Sequence, residues 1–249
     1  MGKPLKIARA ALLLALAFWT GAAMGADVHQ MPPDFVDVHS LDPTISIDMR
    51  YFGSHNFVGH PVPGYMADKC FLTRSAAEAL TKIQLQLREF GLSLKLYDCY
   101  RPQSAVDYFE QWAKDSSDAA MKEEFYPRVP KSKLIPHGYI ASPSSHSRGS
   151  TVDVTITADR EKGAPVAGAF LPSCGVRDLG TLDMGTGFDC FDESAHVHAP
   201  DLPSTERANR MLLQSLFVHA GFKPYADEWW HFTLKDEPYP ATYFDFPVK

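Results

Sequence analysis

The sequence predicts an α+β fold, a single domain with a mainly antiparallel central sheet flanked by helices. Three observations predict it. Helical periodicity of apolar residues appears in well-separated stretches, at 75–91 and 205–220. Short strand-like runs lie apart from them, at 92–96, 151–157 and 229–234. The two kinds of element follow no regular alternation, which does not suit the repeating βαβ unit of a parallel α/β sheet.

The chain has 249 residues. Its start combines Lys3, Lys6 and Arg9, an apolar run from Ala10 to Trp19 and a small-residue stretch from Gly21 to Ala26. That order predicts a secretory signal peptide over residues 1–25, with Ala23 and Gly25 suited to the −3 and −1 positions of a cleavage site. The rival reading is a retained anchor, but the run is shorter than the ~20 residues that span a bilayer. No cysteine follows it, which argues against a lipoprotein. Removing its three basic residues and no acidic ones takes the formal net charge from −6 to −9. So acidic a chain is a poor partner for nucleic acid or for anionic lipid. Residues 26–249 suffice for one domain with a sizeable core.

Ser75 and Glu78 form an S-x-x-E capping box, and Leu80, Ile83, Leu87 and Phe90 recur at helical spacing before Gly91. Leu92, Leu94 and Leu96 alternate with polar residues and predict a strand leading into Asp98–Pro102. A second helix is predicted from Pro102 or Gln103, carrying Val106, Phe109 and Trp112. Thr151 to Thr157 is β-branched and reads as a strand. Thr205 to Ala220 reads as a helix with Leu212, Leu213, Leu216 and Phe217 on its core side, and Trp229 to Leu234 as a final strand. Proline-rich spots at 31–33, 61–63 and 238–240 read as loops or edges.

Four cysteines, Cys70, Cys99, Cys174 and Cys190, suggest disulfides in an exported protein. Of three pairings, Cys70–Cys99 with Cys174–Cys190 closes the shorter loops and is preferred; free buried thiols are the alternative. With no C-x2-C pair, a four-cysteine zinc site is disfavoured.

Three segments can carry chemistry. In Ser144–Asp153, His146 and Asp153 are seven apart and would face opposite sides of an unbroken strand. Gly149 can supply the turn that lets them converge. An aspartate between Val152 and Val154 needs a partner if buried, and a metal would serve. A surface histidine and a strand-edge aspartate explain the same spacing. In Asp227–Phe232, His231 lies among aromatics, where a hydrogen-bonded core histidine is the plain reading. Glu228 would face away from it in a continuous strand, but a strand starting at Trp229 would let Glu228 bend toward it. Walled by Trp229 and Trp230, Glu228 would have a raised pKa, which suits a general base. Together the segments offer two histidines, a carboxylate and a separate glutamate, the composition of a catalytic zinc site with a position left for water. In Tyr97–Pro102, Arg101 can stabilise an oxyanion or form a structural salt bridge with Asp98. A rival metal pair, His196 and His198, would share one face of a strand but has no clear third ligand.

Five ordered motifs resemble those of the D-alanyl-D-alanine dipeptidases, the VanX-like zinc enzymes linked to vancomycin resistance and peptidoglycan turnover. They are Asp48-Met49-Arg50-Tyr51 with Asn56-Phe57-x-Gly59; Tyr97-Asp98-x-Tyr100-Arg101-Pro102; Ser144-x-His146-x-x-Gly149-x-x-x-Asp153; Asp183-Met184-Gly185-Thr186-x-Phe188-Asp189; and Glu228-Trp229-Trp230-His231-Phe232. The resemblance covers most of the mature chain. It implies one zinc per chain, in a cleft on the sheet, held by His146, Asp153 and His231. It also implies Glu228 as base and later acid, Arg101 as transition-state stabiliser, and Ser144 and Asp189 as parts of the substrate pocket, Asp189 as a partner for the substrate amine. Thr151 departs from the small residue usual two positions before the metal aspartate. The cysteines, Asp192-Glu193, His196 and His198 look particular to this branch. The implied activity is hydrolysis of D-Ala-D-Ala in the periplasm. A D,D-carboxypeptidase with the same metal set, or a non-catalytic peptidoglycan-binding module with a structural zinc, are the alternatives.

Overall fold

The computed structural model describes residues 1–2, 27–159, 174–175, 178 and 180–249. The signal-peptide expectation rests on positions outside the described residues. Among those described, no helix is long and apolar enough to cross a membrane.

In chain order the elements are β1 (Phe35–Asp37), α1 (Val38–Leu41), β2 (Ser46–Ile47), β3 (Phe71–Thr73), α2 (Arg74–Glu89), β4 (Leu92–Asp98), α3 (Gln103–Lys114), α4 (Lys122–Phe125), β5 (Thr151–Ala158), α5 (Ser204–His219), β6 (Phe222–Tyr225) and β7 (Glu228–Leu234). Five strands form one sheet in the order β2-β4-β5-β7-β6, and β1 pairs with β3 in a second. The large sheet is mixed: β2 runs parallel to β4, while β4–β5, β5–β7 and β6–β7 are antiparallel. The expectation of a mainly antiparallel α+β sheet holds with that one parallel edge.

β5 lies at the centre, and its residues Thr151–Ile156 are all buried. Side chains alternate across a strand. Leu94 and Leu96 of β4 stand opposite Ile156 and Val154, and Val152 stands opposite Phe232 of β7, so these residues share one face. That face is apolar, and α5 covers part of it: the Phe217 ring lies 4.3 Å from that of Phe232. The other face carries Asp98, Asp153 and His231, which are paired neighbours on three adjacent strands.

Two local expectations give way to tertiary contacts. Helix α2 starts at Arg74 with Thr73 as its N-cap, so the Ser75–Glu78 box is not used and both residues are exposed. Thr73 is held instead by its neighbours: its N–H donates to Gly149 O at 2.7 Å, and its hydroxyl bonds Ser150 Oγ at 2.8 Å. In α5, Leu213 and Phe217 are buried, whereas Leu212 is 37% exposed. The run of apolar residues hid which of its members faces the core.

The two disulfides are Cys70–Cys99 and Cys174–Cys190, the pairing that closes the shorter loops. Gly149 has φ +80°, and a Cβ there would lie 2.1 Å from the Phe35 ring. Gly149→Ala should therefore destabilise the protein by about 3 kcal/mol, through backbone strain and overpacking together. Urea unfolding of the two chains checks this; a midpoint unchanged at equal slope would refute it.

Candidate metal and catalytic site

The face of the sheet opposite α5 is where the polar residues converge. Asp153 stands directly across from His231 on β7 and from Asp98 on β4. His146 arrives from outside the sheet, on a single 3-10 turn over Ser145–Arg148. Ser144 caps that turn, its hydroxyl accepting from His146 N–H at 3.3 Å, and Gly149 ends it in the left-handed conformation. The turn expected at Gly149 is the device that folds His146 back over Asp153.

One atom each from His146, Asp153 and His231 lies within 4.8 Å of the others. His146 Nε2 is 3.3 Å from Asp153 Oδ1, His231 Nδ1 is 3.1 Å from the same oxygen, and the two nitrogens are 3.3 Å apart. On its far side, His146 Nδ1 donates to Cys99 O at 2.7 Å. A carbonyl only accepts, so Nδ1 carries a proton and Nε2 is the ring atom that faces Asp153. His231 Nε2 lies 3.2 Å from Ser145 Oγ, which orients the second ring. Asp153 Oδ1 is buried without a hydrogen-bond partner of its own. Burial alone would raise the Asp153 pKa, but His146 and His231 outweigh it and hold the carboxyl ionised, well below its ordinary value. Two converging imidazole nitrogens and a carboxylate oxygen are the donor set for a divalent cation of zinc type. Among the described residues this is the one such cluster.

Glu228 begins β7 rather than preceding it. Its approach to His231 comes from an irregularity in the β6–β7 hairpin: Pro224 pairs with Phe232, but Tyr225 pairs with Glu228. The extra β7 residues break the alternation that would send Glu228 to the far face. Its Oε2 is 3.6 Å from His231 Nδ1. Burial first, and then the negative charges of Asp153 and Asp189, push its pKa well above the ordinary glutamate value. Trp230 lines the cavity beside it, whereas Trp229 turns away and donates to Thr186 Oγ1 at 2.8 Å.

The salt bridge expected between Arg101 and Asp98 is present. Arg101 Nε and Nη2 reach Asp98 Oδ2 at 2.9 and 2.8 Å, while Nη2 is 3.7 Å from Asp153 Oδ2. Its guanidinium lies over the rings of Tyr51 and Phe109, at 5.0 and 5.3 Å. Burial would lower its pKa, but Asp98 overrides that and keeps it cationic. Asp189 adopts φ +58° and accepts a hydrogen bond from Tyr51 at 2.9 Å. Burial, then Asp153, raises its pKa far above the aspartate range. Ser144, Arg101, Asp189, Glu228, Tyr139 and Trp230 share one cavity of ≈ 280 Å³ with the histidine–aspartate cluster.

The seven residues singled out in the sequence thus meet in one place. Sequence reasoning missed two that support them. Asp98 was seen only as a salt-bridge partner of Arg101, yet it also accepts from Tyr65 at 2.7 Å and lies 3.6 Å from His146 Nδ1. Tyr51 stood in a quoted motif without a role; its bond to Asp189 spans 138 positions, and no local signal announces it. His196 and His198 do not form a site. They follow a 3-10 turn over Glu193–Ala195 instead of lying on a strand, with His196 3.8 Å from Asp227 and His198 exposed.

The raised carboxylates have a measurable consequence in metal-free protein. A group whose pKa is higher folded than unfolded binds more protons when folded, so its contribution to stability falls as pH rises above its ordinary value. For Glu228 that loss begins near 4.5 and continues to the raised folded value. Glu228→Gln should therefore become steadily more stable than the parent chain as pH increases through the neutral range, both stripped with chelator. Thermal melts at stepped pH measure it; a constant difference would contradict the raised pKa.

Residues 31–249 match the family model described as D-ala-D-ala dipeptidase. A D-alanyl-D-alanine dipeptidase of Streptomyces coelicolor is 39% identical over 88% of this chain and 100% of its own length. Others from Enterococcus faecalis and Enterococcus faecium are 41% and 40% identical, each over 81% of this chain and over 91% and 92% of theirs. With relatives of this identity and coverage behind the geometry, the chain belongs to the D-Ala-D-Ala dipeptidase family of peptidases.

Proposed function

We propose that this protein is an exported, zinc-dependent dipeptidase that hydrolyses D-Ala-D-Ala to two D-alanines during peptidoglycan turnover. In this reading residues 1–25 are a signal peptide, 26–249 are the enzyme, and the periplasm is its compartment. The observation that carries the reading is a buried glutamate placed 3.6 Å from a three-donor cluster that leaves a position for water.

His146, Asp153 and His231 would hold one zinc ion per chain. When bound, zinc supplies a Lewis acid for the scissile carbonyl and lowers the pKa of water to ~7. Glu228, with its proton affinity raised by burial, takes a proton from the attacking water and passes it to the leaving amine. Arg101, anchored by Asp98 and already leaning toward Asp153, meets the negative charge that develops on the carbonyl oxygen. Asp189 receives the substrate ammonium, and that charge offsets the cost of burying an ionised carboxylate. Tyr51 fixes the orientation of Asp189. Ser144 shapes the wall beside His146.

The small cavity supports a dipeptide over a longer substrate. Asp189 is only 3% exposed, which suits a free amine better than a continuing chain. Three donors with a spare glutamate also suit catalysis better than a closed structural zinc site.

Glu228→Gln should lower kcat by ~10²–10⁴-fold while zinc remains bound stoichiometrically. Turnover at the parent rate would sink the assigned base. Arg101→Ala should lower kcat by ~10²–10³-fold with a smaller effect on KM. A panel of D,D, L,D and L,L dipeptides, with and without chelator, should show D-Ala-D-Ala cleavage that chelation abolishes and zinc restores. Cleavage of a D-Ala-D-Ala-terminated pentapeptide in place of the dipeptide would assign a carboxypeptidase instead.

A further inference from the structure

Both disulfides abut the site, each beside a different working part. Cys99 lies between Asp98 and Arg101, and its own carbonyl accepts from His146 Nδ1 at 2.7 Å. The following residues are tied on both sides: Tyr100 N donates to Phe71 O at 2.9 Å, and Arg101 N donates to His146 O at 3.4 Å. The bridge to Cys70, the neighbour of Phe71, locks this segment to the start of β3. The carbonyl that orients a metal ligand and the aspartate that anchors the arginine are thus adjacent to one cross-link.

The second bridge sits next to Asp189. Cys190 follows Asp189, whose left-handed backbone must be held in place. Its partner Cys174 docks on the segment just before: Gly187 N donates to Cys174 O at 2.8 Å. The approach is close enough that a Cβ on Gly175 would lie 2.5 Å from Phe188 O. Beyond the bridge, Phe191 N donates to Phe125 O at 2.8 Å. What this loop presents to the cavity is Asp189, with Phe191 beside it.

We propose that the two disulfides are positioning elements with separable functions: Cys70–Cys99 sets the metal ligand His146 and the Arg101 anchor, and Cys174–Cys190 sets Asp189 at the amine end of the substrate. The inference rests on the dipeptidase reading for its second half. An enzyme built this way is fully active only in an oxidising compartment.

The test compares Cys70→Ala/Cys99→Ala and Cys174→Ala/Cys190→Ala in the full chain, at a temperature where circular dichroism shows both folded. Opening the first bridge should weaken zinc binding by ~10–100-fold, the range for losing an outer partner of a metal ligand. At saturating zinc it should lower kcat with KM nearly unchanged. Opening the second should leave zinc affinity unchanged and raise KM for D-Ala-D-Ala by roughly fivefold or more. General loosening would move the same parameters in both variants; that result, or no change in either, overturns the proposal. Should either variant fail to fold, the parent chain is reduced under native conditions with a phosphine. Bridge opening is then followed by mass spectrometry and zinc release by a chromogenic chelator. Zinc should leave with the opening of Cys70–Cys99; release that tracks Cys174–Cys190, or zinc retained after both open, refutes it. Parent protein that binds zinc without cleaving the dipeptide would remove the dipeptidase reading, while zinc affinity would still judge the first bridge.

Discussion

A carboxylate buried between two imidazoles is the constraint around which the rest is arranged. Asp153 is 2% exposed and has Asp98, Asp189 and Glu228 as further buried acidic neighbours. Against these four stands one guanidinium, Arg101, already engaged by Asp98. Such a cluster cannot stay fully ionised in a low-dielectric interior without more positive charge. Burial first and the charge of Asp153 second push the pKa values of Glu228 and Asp189 far up. A divalent cation at the His146–Asp153–His231 donors is the complementary answer, because it adds charge where Asp153 Oδ1 has no hydrogen bond.

The apolar half of the sheet makes this expense tolerable. Val152, Val154, Ile156, Leu94, Leu96 and Phe232 are buried to within 1% exposure, each contributing about 1.5–3 kcal/mol through burial. The same strands carry the charged cluster on their other face, so strand register fixes catalytic geometry and core packing together. A slip of one residue in the β5–β7 pairing would exchange His231 for an apolar side chain. Regular structure alone would still leave the site incomplete. His146 comes in only through the left-handed turn at Gly149, Glu228 only through the hairpin irregularity, and Asp189 only through its own positive φ. At these three places a backbone departure aims a side chain against the default periodicity.

That distribution explains what was legible in the sequence. Helices α2, α3 and α5 and strands β4, β5 and β7 were visible because their periodicity is local. The need for a turn at Gly149 was legible because His146 and Asp153, seven positions apart, would face opposite sides of an unbroken strand. The disulfide pairing followed loop length. The hairpin irregularity was not legible: it depends on how Tyr225 meets Glu228, and the sequence there reads as a simple strand start. Nor was the unused capping box, because Thr73 is held by Gly149 and Ser150, which lie far along the chain. The role of Asp98 required the sheet, since its contacts to Tyr65 and His146 join segments brought together only by strand pairing.

On the dipeptidase reading, the charge cluster also bears on how a single glutamate would serve first as base and then as acid. Burial, then the charges of Asp153 and Asp189, raise the Glu228 pKa well above the ordinary glutamate value. On the dipeptidase reading, a cation at Asp153 and a substrate ammonium at Asp189 cancel both fields when the site fills. The Glu228 pKa would then fall, with only its first cause, burial, left to raise it. Burial remains, so the proton it takes is held long enough to be delivered to the leaving amine. The carboxylates that make the empty cavity costly are therefore what couple base strength to occupancy. In that reading Asp189 would act twice, by direct contact with the substrate and through its field at Glu228.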